Sequence, residues 1–172
     1  ANYAKEKGWI VEKEDGKFMP EESVLPRDIA PAAVKLLGYN TYYRIPDNSD
    51  LSVYLSRAMQ LGIFNGVPKS AQTEGMTYKD AVIFLYNILD TRPVEISYSD
   101  GYASYKKSEK LYMTARFNVE YESGVMYANG ITSIKNGANK NHVVIGENDW
   151  GGANLGTDLI GRRVTGYSRD GE

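Results

Sequence analysis

The chain has 172 residues, with 20 Lys and Arg against 22 Asp and Glu, a formal charge of −2 and both signs mixed along its length, so it carries no electrostatic footprint for nucleic acid. At 42% apolar and 24% charged it is too apolar for disorder. No apolar run approaches the roughly 18 residues of a membrane span, and the absence of Cys removes disulfides and thiolate metal sites.

Its length allows one or two domains, and no charged-then-apolar signal segment opens it, as in a mature fragment or a cytosolic protein. Residues 3–7 read as the tail of a helix closed by Gly8, with Trp9-Ile10-Val11 as an apolar plug; a start in mid-unit points to a longer parent. Pro26 suits the first turn of a helix. Ile29, Ala33, Leu36 and Leu37 recur at i, i+4, i+7 and i+8, the stripe of a half-buried helix that Gly38 ends. Pro31 lacks a backbone donor, so this helix is expected to start in effect near Asp28. Tyr39 to Ile45 reads as a linker holding three tyrosines.

Ser49 or Asp50 can cap a helix from Leu51 to Leu61, with Leu51, Tyr54, Leu55, Ala58 and Leu61 along one side. Gly62 stands where a left-handed C-cap is needed, and Ile63 and Phe64 are read as anchors of the loop that follows. Thr77 with Asp80 three residues on is a variant of the capping box and opens a helix to Leu89. Its stripe is Ala81, Leu85, Ile88 and Leu89, widened by Val82 and Phe84, which predicts burial on more than one side. Asp90-Thr91-Arg92-Pro93 stops it.

After Pro93 the texture changes to short alternating runs and frequent glycine, the mark of strands joined by turns. Val94 to Tyr98 alternates. Lys110 to Asn118 fits a strand or a short helix, with the short helix preferred. Gly124 to Ile134 reads as two strands, or one bent strand, around the hairpin-type dipeptide Asn129-Gly130. His142 to Gly146 and Arg163 to Tyr167 are further strands, with a short turn at Asp158 to Gly161. The expected organisation is therefore α+β: a helical part over residues 1–95, in two units of about 1–44 and 45–93, and a small β-rich part, barrel-like or open-sheet, over 96–172.

Two helix-loop-helix stretches look like copies. Ala4 to Ile10 matches Ala58 to Ile63 in outline, and Val24-Leu25-Pro26-Arg27-Asp28 stands where Met76-Thr77-Tyr78-Lys79-Asp80 stands. A unit that cannot bury its apolar face alone stacks on its neighbour. The order Ala-x-x-x-Gly-(Trp/Ile)-Ile, then Gly16 to Pro20, then a capped helix ending Leu36-Leu37-Gly38-Tyr39, resembles the S-layer homology repeat of bacterial cell-surface proteins, with Ile45-Pro46-Asp47 similar to the Phe-x-Asp that opens such a repeat. The resemblance covers roughly the first 95 residues. The second half is similar, more loosely, to a small β region that follows these repeats in some clostridial and bacillus surface proteins, through Gly124 to Ile134 and Ile160 to Tyr167; there the sheet is expected to be completed by further residues or another chain.

The resemblance implies a non-catalytic cell-surface protein of Gram-positive bacteria, secreted and held at the cell wall, serving structural assembly or wall anchoring. Its implied partners are a secondary cell-wall polysaccharide and other domains or subunits of a surface assembly, with no cofactor, nucleic acid or membrane span. In the family a helix-opening Thr-Arg-Ala-Glu phrase supplies an arginine to an acidic, pyruvylated polysaccharide, since a planar guanidinium pairs bidentately with carboxylate. Here Pro26 and Tyr78 occupy that position and the cations sit one place along, at Arg27 and Lys79, rotated by about 100° on the helix. Arg27, Lys79, Tyr78 and Trp9 are the glycan-binding candidates, although Trp9 between Gly8 and Ile10 also suits burial.

Other candidates read as structural. His142 lies in an apolar strand without triad partners. The Glu14-Asp15 and Glu21-Glu22 pairs are adjacent loop acids, not carboxyls held across a cleft. Asn48-Ser49-Asp50 and Glu147-Asn148-Asp149 lack calcium-loop spacing and suit caps and turns. Trp150, beside Gly151-Gly152, fits either a sugar-stacking or a filling role. The competing function is a carbohydrate-binding ancillary module of a secreted carbohydrate-active enzyme, in which Tyr and Trp of the β half hold the sugar.

Overall fold

The structure, a computed structural model, describes residues 22–135, 142–151 and 156–169, together with Tyr3 and Glu6. The Gly8 cap, the plug around Trp9, the Gly16 to Pro20 phrase and the Glu14-Asp15 pair lie outside the described residues. The fold is α+β, with six α-helices and six strands among the described residues. It divides into two compact units, Ala1–Tyr112 and Met113–Glu172.

From Glu22 on, the described part of the first unit holds α1 (Pro26–Leu36) and a single turn, α2 (Tyr39–Tyr42). Next come α3 (Leu51–Gln60), a short α4 (Ala71–Glu74) and α5 (Tyr78–Leu89). Asp50 caps α3 by accepting the Ser52 amide at 2.7 Å. The end of α3 closes as a Schellman motif, in which Gly62 at φ +77° lets its own amide reach Met59 O and the Ile63 amide reach Ala58 O. That turn drives Ile63 inward to 0% exposure, as the anchor reading expected. Phe64 follows it and stacks on Phe84 at 5.2 Å. Burying each such side chain stabilises the fold by about 1.5–3 kcal/mol.

Three expectations are corrected here. The first concerns α1, which starts at Pro26 and runs through Pro31 instead of starting near Asp28. Pro26 fits the first position, and the interior Pro31 is buried with Ala30, Ala33 and Val34, so packing outweighs the lost backbone donor. Its buried face is rotated accordingly, and Leu36 is exposed. Second, the three-tyrosine segment is core, not linker: Tyr39 is 2% exposed, donates to Arg92 O at 2.8 Å and stacks on Tyr43. Burial, then the neighbouring Tyr43 and Tyr42, push the Tyr39 hydroxyl above its ordinary range. Third, α5 buries one narrow stripe, Asp80, Phe84 and Ile88, while Tyr78, Val82, Leu85 and Tyr86 are exposed.

A hairpin completes the first unit. Strands β1 (Val94–Ser99) and β2 (Tyr102–Lys107) pair antiparallel across Asp100-Gly101, both at positive φ, the geometry of a primed hairpin turn. The Val94 amide donates to Leu37 O at 2.8 Å beside the Gly38 cap, and Pro93 O accepts the Ser108 amide. The Val94 bond ties the hairpin to the helices and the Ser108 bond closes its base, and the first unit extends past residue 95 to Tyr112.

The short helix α6 (Tyr112–Phe117) spans the boundary and leads into a four-stranded antiparallel sheet. Its strands are β3 (Val119–Asn129), β4 (His142–Ile145), β5 (Asn148–Gly151) and β6 (Arg163–Arg169), in the order β5-β4-β3-β6. A register shift between Met126 and Ala128 bends β3, which ends where Asn129, 0% exposed, accepts the Ile131 and Thr132 amides. The sheet curls around Met126, Val143 and Ile145, with Trp150, Leu159, Ile160 and Val164 packed against them. Glycines permit the curl. A Cβ on Gly124 would come within 2.7 Å of the Gly146 backbone, and one on Gly166 would collide with the Trp150 ring.

Candidate functional site

The starts of α1 and α5 share one design. In α5, Thr77 Oγ1 accepts the Asp80 amide at 3.2 Å, while Asp80 Oδ2 takes the Thr77 amide at 2.9 Å and the Thr77 hydroxyl at 2.7 Å. The Thr77 hydroxyl and then its amide hold the Asp80 carboxyl below the usual carboxylate range. In α1, Asp28 Oδ2 takes the Leu25 amide at 3.1 Å. Leucine has no side-chain acceptor, so the Asp28 amide turns back to Leu25 O at 2.9 Å. Half of the box survives.

The two starts also touch. The Met76 amide donates to Val24 O at 2.8 Å, joining residues at the same place in the two stretches. Gly75, at φ +94°, lies against Ser23, where an added Cβ would come within 2.5 Å of the Ser23 Cβ. Each helix thus presents its cation at the second helical position, Arg27 in α1 and Lys79 in α5. Arg27 is exposed, with Nε 3.8 Å from Asp28 Oδ1, and Lys79 is exposed. At the first helical position, Pro26 is buried whereas Tyr78 is 87% exposed. Trp9 lies outside the described residues, so three of the four sequence candidates have a place in the structure.

No protein-family profile matches the chain, and comparison with curated proteins and with solved structures finds no match.

Sequence reasoning missed a second surface, on the outward face of β3 and β6. Cross-strand register places Val119 opposite Arg169, Tyr121 opposite Tyr167, Ser123 opposite Thr165 and Val125 opposite Arg163. Directly opposed residues share a face, and along β6 Arg163, Thr165, Tyr167 and Arg169 are the exposed ones. The Tyr121 and Tyr167 rings lie 6.1 Å apart, tilted by 33°, with 42% and 49% of each residue exposed. Thr165 Oγ1 donates to Ser123 Oγ at 3.2 Å. The glutamates of this stretch, Glu120 and Glu122, alternate to the other side, where Glu122 Oε2 accepts from Asn148 at 3.0 Å.

Glu21 lies outside the described residues, and four of the remaining candidates have structural roles. His142 Nδ1 lies 2.7 Å from Asp149 Oδ1 on the neighbouring strand. Asp50 and Asn148 take cap and strand roles. Trp150 is half-buried against Gly166 in the sheet's interior, a filling role. Among the described residues there is no cluster of three metal-ligating side chains, and no helix is long and apolar enough to cross a membrane.

Proposed function

We propose that this chain is a non-catalytic cell-surface protein of S-layer type, extracellular and at the cell wall, which serves structural assembly or wall anchoring through related helical repeats. Its partners in this reading are a secondary cell-wall polysaccharide and other domains or subunits of a surface assembly. The observation that carries it is the junction of the two helix starts: equivalent residues Val24 and Met76 hydrogen-bond, and each start holds an Asp at its third position and a cation at its second. The exposed apolar residues Tyr78, Val82 and Leu85 at helical spacing on α5 support the assembly arm, because exposed apolar surface marks association sites.

Co-sedimentation with purified peptidoglycan-linked polysaccharide tests the anchoring arm, with an Arg27→Ala, Lys79→Ala double variant as control. Retention of wild type with loss in the variant is the expected result. Failure of both to bind removes anchoring through these repeats and leaves assembly, which sedimentation velocity of wild type and Leu85→Glu then decides. A second reading, a carbohydrate-binding ancillary module, is favoured by one observation, the exposed Tyr121 and Tyr167 pair on the sheet.

A further inference from the structure

We infer that this chain forms a closed twofold dimer in which the β1–β2 hairpin of each copy lies along the exposed apolar stripe of α5 on the other. The inference deepens the assembly arm of the proposed function and rests on it: it names a second copy as the partner of that stripe and the hairpin as the element that covers it.

Register gives the hairpin two unlike faces. Ile96 stands opposite Tyr105 and Tyr98 opposite Ala103, and directly opposed residues share a face. At the base of that face Val94 is buried in the helical core, but further out Ile96 is 52%, Tyr98 76% and Tyr105 38% exposed. The other face satisfies itself, with the Ser97 and Ser104 hydroxyls 2.6 Å apart and Lys106 Nζ 3.7 Å from Glu95 Oε2. A two-stranded hairpin is marginal alone and gains stability when its apolar face is covered. On α5, Tyr78, Val82 and Leu85 recur at i, i+4 and i+7 and are 87%, 48% and 57% exposed, so they line one side of the helix.

Area and charge single out a second copy. Taking about 250 Å² for a whole tyrosine and somewhat less for an aliphatic residue, each of the two surfaces exposes roughly 400 Å². One hairpin on one stripe buries about 800 Å² in total, short of the roughly 1,000 Å² of a stable interface, whereas two such contacts related by a twofold axis bury about 1,600 Å², the standard size. The charges at the ends also match. Asp100 leads the hairpin at its turn, and Lys107, on the same face as Tyr105, stands about 20 Å below it. Helix α5 carries Lys79 at its start and Asp90 just past its end, about 16 Å apart, a difference that a lysine side chain can span. Laid with its turn toward the start of the copy's α5, the hairpin brings each of these charges to one of opposite sign.

Other occupants fit less well. A further strand added at a hairpin edge meets Leu37 O, which already takes the Val94 amide at the base of β1, or Lys106 and Lys107 on β2, and charged residues blunt an edge. A lipid surface would meet the Asp100 carboxylate first, since it sits at the tip. Hairpin packed on hairpin buries only about 800 Å².

Sedimentation velocity of the full chain over a range of concentrations tests the inference, with a hairpin variant, Ile96→Thr with Tyr98→Thr, which keeps strand-forming residues, and a stripe variant, Leu85→Glu. Wild type should pass from monomer to dimer, and each variant, with its melting curve unchanged, should self-associate roughly tenfold or more weakly. The two variants mixed should bind each other more tightly than either binds itself, because the mixed dimer keeps one intact hairpin on one intact stripe. Absence of that rescue overturns the inference. Self-association lost in Leu85→Glu but kept in the hairpin variant also overturns it, and leaves the assembly reading standing. A species that grows past the dimer overturns the closed symmetry and the inference with it. A chain that is monomeric at every concentration overturns both the inference and the assembly arm.

Discussion

Among the described residues, twelve buried ones of the first unit form one cluster, from Ala30 on α1 to Val94 on β1, whereas in the second three do, Met126, Val143 and Ile145. The helices fill their interior with aromatic and branched side chains from successive turns. The sheet instead curls until backbone meets backbone, at Gly124 against Gly146, and ring meets backbone, at Trp150 over Gly166. The first arrangement is sensitive to side chains removed, the second to side chains added. The exposed residues differ too: an apolar stripe on α5 in the first, and the Tyr121 and Tyr167 pair on the sheet in the second.

The largest effect is expected where the helical core is deepest. Ile63→Ala removes a fully buried side chain that also fixes the Schellman turn, and should cost about 2–5 kcal/mol in chemical denaturation. The sheet answers with the opposite substitution. Gly166→Val drives a branched side chain into Trp150 and Ile145 and should cost about 1–3 kcal/mol. Trp150 fluorescence, read in a Trp9→Phe background where it is the one remaining tryptophan, should report that loss. If Gly166→Val is neutral, the close-approach account of the curl is wrong.

Smaller effects are expected at the helix ends. Gly62→Ala places a Cβ at φ +77° and should cost about 1–2 kcal/mol by thermal melting. Thr77→Ala removes a complete cap and should cost about 1 kcal/mol. Leu25→Ala should leave the cap of α1 intact, because backbone and Asp28 already supply it. The smallest effect is the pH dependence. The Asp80 carboxyl is held below its usual range by the Thr77 hydroxyl and amide, so its contribution is present above the unfolded carboxylate range, near pH 4, and is lost as pH falls through the lower folded value. Asp80→Asn should flatten that acid arm of the melting curve.

Much of the helical unit was legible because its signals are local. Asp50, Gly62, Thr77 and Asp80 each act on residues within a few positions, and the structure places each in its expected role. The turn at Asn129-Gly130 and the helix Tyr112–Phe117 belong to the same class. Asp100-Gly101 carries an equally local hairpin signal, positive φ at both residues. What stayed hidden depends on distant contacts. Tyr39 is buried because Arg92 O meets its hydroxyl, and the hairpin joins the helices because Val94 bonds Leu37. Periodicity located an apolar surface on α5 but did not say which part of it meets the core. The tyrosine pair on the sheet was illegible for the same reason: Tyr121 and Tyr167 face each other through a strand register that no short motif encodes.

The surface role is tested most directly by incubating the chain with cell-wall fragments before and after their polysaccharide is stripped, with self-association followed in parallel by sedimentation velocity. The account predicts retention on intact walls and release from stripped ones, or concentration-dependent assembly that Leu85→Glu abolishes. A chain that stays monomeric at high concentration and ignores both wall preparations would contradict it.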